Sequence, residues 1–360
     1  DDATLSYYYA FQTRIYVHFD SVLLAKRTSD SSWIYASKTN NPAAKANALL
    51  SKGIVNNYLG NLDEVVKDVQ EGLTLLSDND KAASTKAFLF YLLYSVYSNW
   101  SQTEKMEINV LQSLKFAQLA NNKNILVNAY NGLSSTYLIK YENEKKQVFL
   151  DSSLFYLKKS WETYQKTPDE VSISTFIITS INIANHYLQY SDKPLSERKR
   201  EAYKYLDEAE MIAQKEKTVS DWLASIYGLK GNVAVQEHNY PAAQDLFLKS
   251  VEILNRTNTP NFSLKYTAYK ELVSLSIRIN DFQRAVGYQQ NAEEVLLKLF
   301  DEQQRLNIQK LELQYETQKK NKEMQMLKTT ADLRAKQNYL YIGISVALLA
   351  AVSRIASGTE

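Results

Sequence analysis

Residues able to do acid–base, nucleophilic or metal chemistry are few and scattered. There are three histidines, His18, His186 and His238, and no cysteine. The histidines fall in different segments, without the H-x-x-x-H or H-x-x-E-H spacing that sets two imidazoles on one helix face around zinc. Without thiols there is no disulfide, thiolate metal site or cysteine nucleophile. Asp78, Asn79 and Asp80 form a polar run that lacks the Gly and distal Glu of a calcium loop. Asn99-Trp-Ser, Asn255-Arg-Thr and Asn261-Phe-Ser match the glycosylation sequon and are read as chance. No Gly-rich phosphate loop and no G-x-S-x-G elbow occurs. The sequence therefore predicts no enzyme, no metal site and no cofactor.

The chemistry that remains is recognition. Asn57, Asn131, Asn185 and Asn232 carry amides that can donate to and accept from an extended peptide backbone. Tyr94, Tyr97 and Ser135 offer hydroxyls, and Lys270 with Arg278 could hold a carboxylate or phosphate. These nine residues are grouped because each stands near the small residue of a helical repeat. Asn185 and Asn232 hold equivalent positions in successive repeats.

The repeat is the element that must position them. Ile226–Leu254 reads IYGLKGNVAVQEHNYPAAQDLFLKSVEIL, and Tyr269–Val295 repeats its pattern with Ala285 in the place of Ala243. Gly231 with Ala243, and Val273 with Ala285, are small residues where two helices cross closely. Tyr227, Phe247, Leu272 and Tyr288 are the large residues that fill the gaps. Weaker copies lie at Asn47–Leu76, Thr85–Ala120, Ile125–Tyr164 and Ser174–Ala213, and a degenerate helical pair ends near Pro42. This pattern resembles the tetratricopeptide repeat (TPR), a helix–turn–helix unit. The resemblance implies a right-handed solenoid of six or seven helix pairs over 1–297, whose first helices line a groove for a peptide or protein.

Composition agrees with an all-α chain. The 360 residues include only 9 Gly and 5 Pro, about a third of average usage. That supply is too small for the tight turns of a sandwich or barrel. An apolar fraction of 45% can fill a core, and the 26 Tyr read mainly as filler between helices. A formal charge of +2 argues against direct nucleic-acid binding.

The last sixty residues have a different composition. From Gly287 to Gly343 there is neither Gly nor Pro between, and Leu299, Leu306, Leu313 and Leu327 follow a heptad that Lys320 interrupts. The spacing predicts a helix over 298–336 that pairs two copies as a coiled coil or packs on its own solenoid. Gln337–Ser353 is uncharged for 17 residues and predicts a transmembrane helix, with 354–360 a short tail. Six basic residues from Lys319 to Lys336 precede the stretch and would keep the solenoid cytoplasmic. A start at Asp1 without Met implies a removed leader, which favours a membrane-anchored, periplasmic solenoid.

LELQYETQKKNKEMQML, at Leu311–Leu327, resembles the juxtamembrane helix L-E-x-x-Y-E-x-x-K-K-x-K-E of TPR envelope regulators of Bacteroidetes. That resemblance implies an extracytoplasmic sensor. Its members continue into a helix-turn-helix or histidine-kinase output that this chain does not contain. The expected function is a non-enzymatic, peptide- or protein-binding module of a signalling or transcription-regulatory protein. The alternative is a tail-anchored scaffold facing the cytoplasm with no signalling role.

Overall fold

The computed structural model of the chain describes residues 1–19, 21–77, 82–216, 220–257 and 261–357, and at 220, 321 and 346–357 the backbone alone. The polar run Asp78–Asp80 lies outside the described residues. Among those described, all regular structure is helical. The chain divides into two compact units, Asp1–Gln303 and Gln304–Glu360.

The first unit is a TPR-like series of antiparallel helix pairs. The pairs are α1 (Asp2–His18) with α2 (Val22–Ser37), α3 (Pro42–Leu59) with α4 (Leu62–Leu75), and α5 (Ala83–Asn99) with α6 (Thr103–Leu119). They continue with α7 (Lys123–Glu144) and α8 (Gln147–Lys166), α9 (Ile173–Tyr190) and α10 (Leu195–Ala213), and α11 (Ser220–Gln236) and α12 (Tyr240–Arg256). The last pair is α13 (Phe262–Arg278) with the start of α14 (Phe282–Ser357).

Local sequence explains where the helices begin. The Asn41 side chain accepts from the backbone N–H of Ala43 and Ala44 at 3.0 and 3.3 Å. Asn122, Asn239 and Asn261 cap α7, α12 and α13 in the same way. Each satisfies an amide that the first turn leaves without a partner.

The scarcity of glycine has a structural counterpart at the turns. Among the described residues, the turns of five pairs pass through a residue with positive φ, and only one of these is Gly: Gly60, Ser101, Lys145, His238 and Asn280. At four of them the next N–H reaches back to the helix: Asn61 to Asn56 O, Gln102 to Tyr97 O, Asn239 to Ala234 O and Asp281 to Ser276 O, at 2.8–2.9 Å. This is the Schellman closure that stops a helix with a left-handed residue.

Packing is nearest-neighbour along the series, as a solenoid requires. One core cluster joins α3, α4 and α5 around Leu50, Val65 and Leu89. Another joins α7 through α11 around Phe176, Ile177 and Leu206, and a third centres on Phe247 and Leu272. Crossings are tight where the sequence places glycine. A Cβ on Gly53 would lie 2.8 Å from Leu92, and one on Gly132 2.9 Å from Val110.

One first helix is enclosed on every side. Each residue from Ala46 to Ser51 in α3 is at most 6% exposed. Alanines at 43, 44, 46 and 48 keep α3 thin enough for its neighbours to close around it. Arg14 of α1 stands over the ring of Phe88 of α5, with its Cζ 5.9 Å from the centroid, so a contact skips the intervening pair.

The second unit is the continuation of α14. Leu327, on the expected heptad, is 72% exposed, as are most large side chains around it, such as Tyr315 and Met324. The expected transmembrane helix at 337–353 requires correction. Among the described residues no helix is long and apolar enough to cross a membrane. Seventeen uncharged residues fall short of the ~20 that span a bilayer, and Gln337 and Asn338 at the near end lower the hydropathy further. The side chains of 346–353 lie outside the described residues. The membrane-anchored address, with a periplasmic or cytoplasmic-facing solenoid, and the membrane as a partner through 337–353, rested on that span and fall with it.

Candidate ligand groove

Successive first helices pack more closely on one another than successive second helices do, which makes them the inner wall of the array. Asn57 of α3 donates to Ser95 of α5 at 3.3 Å, and Asn122 at the start of α7 donates to Ser84 of α5 at 3.1 Å. Tyr190 of α9 donates to Glu142 of α7, and Asn261 before α13 to Asp221 of α11. The Arg14–Phe88 contact runs along this same wall.

The nine sequence-chosen residues divide between those committed to neighbours and those left open. Asn57 spends its amide N–H on Ser95, while its Oδ1 is buried without a partner. Tyr94 is 9% exposed, packs with Met106, Val110 and Leu133, and is hydrogen-bonded to Ser135. Burial pushes the Tyr94 hydroxyl upward in pKa, and Ser135 partly offsets this. Tyr97 meets Trp100 edge-on at 5.7 Å, with the Lys105 ammonium 5.1 Å from its ring. Asn131 of α7 and Thr179 of α9 are joined twice, at 2.9 and 3.2 Å. These residues hold the array together.

The open set lies on α9, α11 and α13. Asn185 and Asn232 are half-buried, and neither amide bonds to another described residue. Each follows a small crossing residue, fully buried Ala184 in α9 and tightly packed Gly231 in α11. Lys270 is exposed and donates to Gln289 of α14 at 3.4 Å, which turns it toward its own pair. Arg278 is exposed and makes no ion pair with a described residue. Lys270 and Arg278 are therefore not brought together on one anion.

Sequence reasoning passed over Glu271. It is half-buried on α13, burial alone raises its pKa, and no described residue pairs with it. Thr267, Glu271, Ser274 and Arg278 fall at i, i+4, i+7 and i+11, one helix face away from Ala268, Leu272 and Leu275 of the core. That spacing was the available signal. Gly228 of α11 has open space where a Cβ would be.

Electrostatics behind this wall are settled by pairing. Lys230, 8% exposed, donates to Asp207 at 2.6 Å and to Glu210. Burial would lower its pKa, but hydrogen bonds and charge from those two carboxylates raise it. Glu107 accepts from Lys140 and Tyr137; burial would raise its pKa, and those bonds bring it below the ordinary value.

No family model and no curated protein matches the sequence. Solved structures do match in fold. The chain is similar to the apo form of RapI, with TM-score 0.55 and 12% identity over 82% of this chain and 99% of that one. It is also similar to aspartyl phosphate phosphatase F from Bacillus subtilis, with TM-score 0.54 and 11% identity over 81% and 70%. A Rap protein complexed with competence and sporulation factor gives TM-score 0.52 and 10% identity over 82% and 76%. At these identities the likeness is one of fold, a TPR-like array of helix pairs.

Proposed function

We propose that the chain is a non-catalytic binding module that holds an extended peptide or protein segment along α9, α11 and α13. The observation that carries this reading is the pair Asn185 and Asn232. They are equivalent amides on successive inner-wall helices, partly exposed and unspent, whereas Asn57 and Asn131 bond to neighbouring repeats. An amide of this kind can engage peptide backbone N–H and C=O groups without reading side chains. Arg278 would meet an acidic group of the same segment. A similarly folded Rap protein complexed with competence and sporulation factor supports a ligand-holding role.

A regulatory role is the finer part of the proposal. It rests on the motif Leu311–Leu327 and on α14, which starts inside the seventh pair and continues to Ser357. Occupancy of the groove would act by bringing two Leu299–Arg334 segments together, a pairing that the unoccupied chain does not make.

The test is selection from a randomised peptide library displayed on phage. Peptides enriched by the wild type should lose about tenfold or more in affinity when Asn185→Ala and Asn232→Ala are combined, at about 1 kcal/mol per lost hydrogen bond. Failure to enrich any peptide, or unchanged affinity in the double variant, would overturn the reading.

A further inference from the structure

The outer face of α1 is an apolar seam with no described residue covering it. Leu5, Tyr8, Gln12, Ile15 and Phe19 recur at alternating spacings of three and four, the a/d pattern by which one helix packs on another. They lie opposite Ser6, Ala10 and Thr13, which face the inside of the unit and are fully buried. Exposure along the seam is 39% at Leu5, 55% at Tyr8, 39% at Ile15 and 69% at Phe19, with Phe11 beside it at 56%. None of the five seam residues is charged at neutral pH: Asp2, Arg14 and His18 of α1 sit off the seam, and exposed Asp1 lies beyond its N-terminal end. A solenoid helix face left without a neighbouring repeat is expected to be polar.

We infer that this seam pairs with the same seam of a second copy, the two α1 helices running antiparallel about a twofold axis at Gln12. The sequence is self-complementary about that residue. Antiparallel pairing sets Phe19 against the partner's Leu5 and Tyr8 against the partner's Ile15, so that each large ring meets a smaller aliphatic side chain. Gln12 meets its own copy, and its amide already points along the seam, donating to the Tyr8 hydroxyl at 2.9 Å. A single polar residue in an apolar seam fixes register. At about 200 Å² for each large side chain, the exposed parts of the four seam residues and Phe11 would bury about 500 Å² per copy. Two copies reach about 1,000 Å², the threshold for a specific interface. The absence of charge removes the like-charge repulsion that self-pairing would otherwise bring. The interface is isologous, so it closes at two chains.

The chain lacks cysteine, which makes a direct test clean. The full chain carrying Gln12→Cys should form a disulfide-linked dimer under mild oxidation, whereas Ile277→Cys, on α13 and more exposed than Gln12, should remain single. Light scattering on the wild type at ~100 µM should give twice the chain mass, falling to one chain in Ile15→Glu/Phe19→Glu. Both substitutions are on the exposed face, and unchanged helical circular dichroism would show that the fold is intact. A wild type that stays single, a dimer that survives Ile15→Glu/Phe19→Glu, or a Gln12→Cys chain that does not link would each overturn the inference.

Discussion

Phe247 occupies the space that a side chain on Gly231 would need: a Cβ there would come within 2.5 Å of its ring. Phe247 is fully buried and cannot swing away. Gly231→Ala should therefore destabilise the chain by about 1–3 kcal/mol, less the ~1 kcal/mol that Ala gains over Gly in a helix. Gly228→Ala, three residues earlier with nothing within 4 Å, should instead stabilise by up to about 1 kcal/mol. Urea unfolding of both variants checks the pair, and equal effects would refute the crossing argument.

The left-handed turns give opposite signs. Lys145 has φ +54 and Gly60 φ +80. A side chain in that region costs about 1–2 kcal/mol, so Lys145→Gly should raise the unfolding midpoint and Gly60→Ala should lower it. Thermal melts that move both variants in the same direction would contradict this.

His186 makes stability depend on pH. It is 8% exposed, and its Nε2 lies 3.1 Å from the Leu150 carbonyl oxygen. Burial lowers its pKa from the ordinary 6.5, against partial support from Leu150 and Asp151. The native state thus favours the neutral ring. This contribution is complete above about pH 6.5 and declines as pH falls below it, because the unfolded chain takes up a proton that the native chain resists. Between pH 7.5 and 5.5 the wild type should lose more stability than His186→Gln, with differential scanning calorimetry as the readout. Parallel slopes would remove His186 as the cause.

Lys230 neutralises two carboxylates at once. Lys230→Met keeps the stem but leaves Glu210 and Asp207 without their cation. A loss of about 1–3 kcal/mol is expected, held down by the exposure of Asp207. Adding Glu210→Gln to Lys230→Met should recover part of it in the same denaturation assay. No recovery would mean that packing, not charge, keeps Lys230 in place.

The repeat was legible because its signal is local. Small residues at Gly231 and Ala243 and a large one at Phe247 state a helix crossing within seventeen residues, and the structure puts Phe247 against Gly231. The turns were legible only at Gly60, because Ser101, Lys145, His238 and Asn280 occupy the same left-handed position without being glycine. A marker was present in the polar pairs that follow, such as Gly60-Asn61, His238-Asn239 and Asn280-Asp281. What each inner-wall side chain touches was not legible. Asn131 and Thr179 are 48 residues apart, and their meeting depends on how one repeat is set against the next. Gln337–Ser353 misled because absence of charge was read as membrane affinity, although length and mean hydropathy decide that question.

The enclosure of α3 bears on how the molecule assembles and breathes. In a nearest-neighbour array each repeat can open on its own, and terminal repeats should fray first. Here Arg14 reaches past α3 to Phe88, a second-neighbour coupling that ties the first three pairs together. Backbone amides from Ala46 to Ser51 should therefore exchange with deuterium only when that whole block opens. Unzipping would start from the other end, and the N-terminal block would behave as one cooperative folding unit.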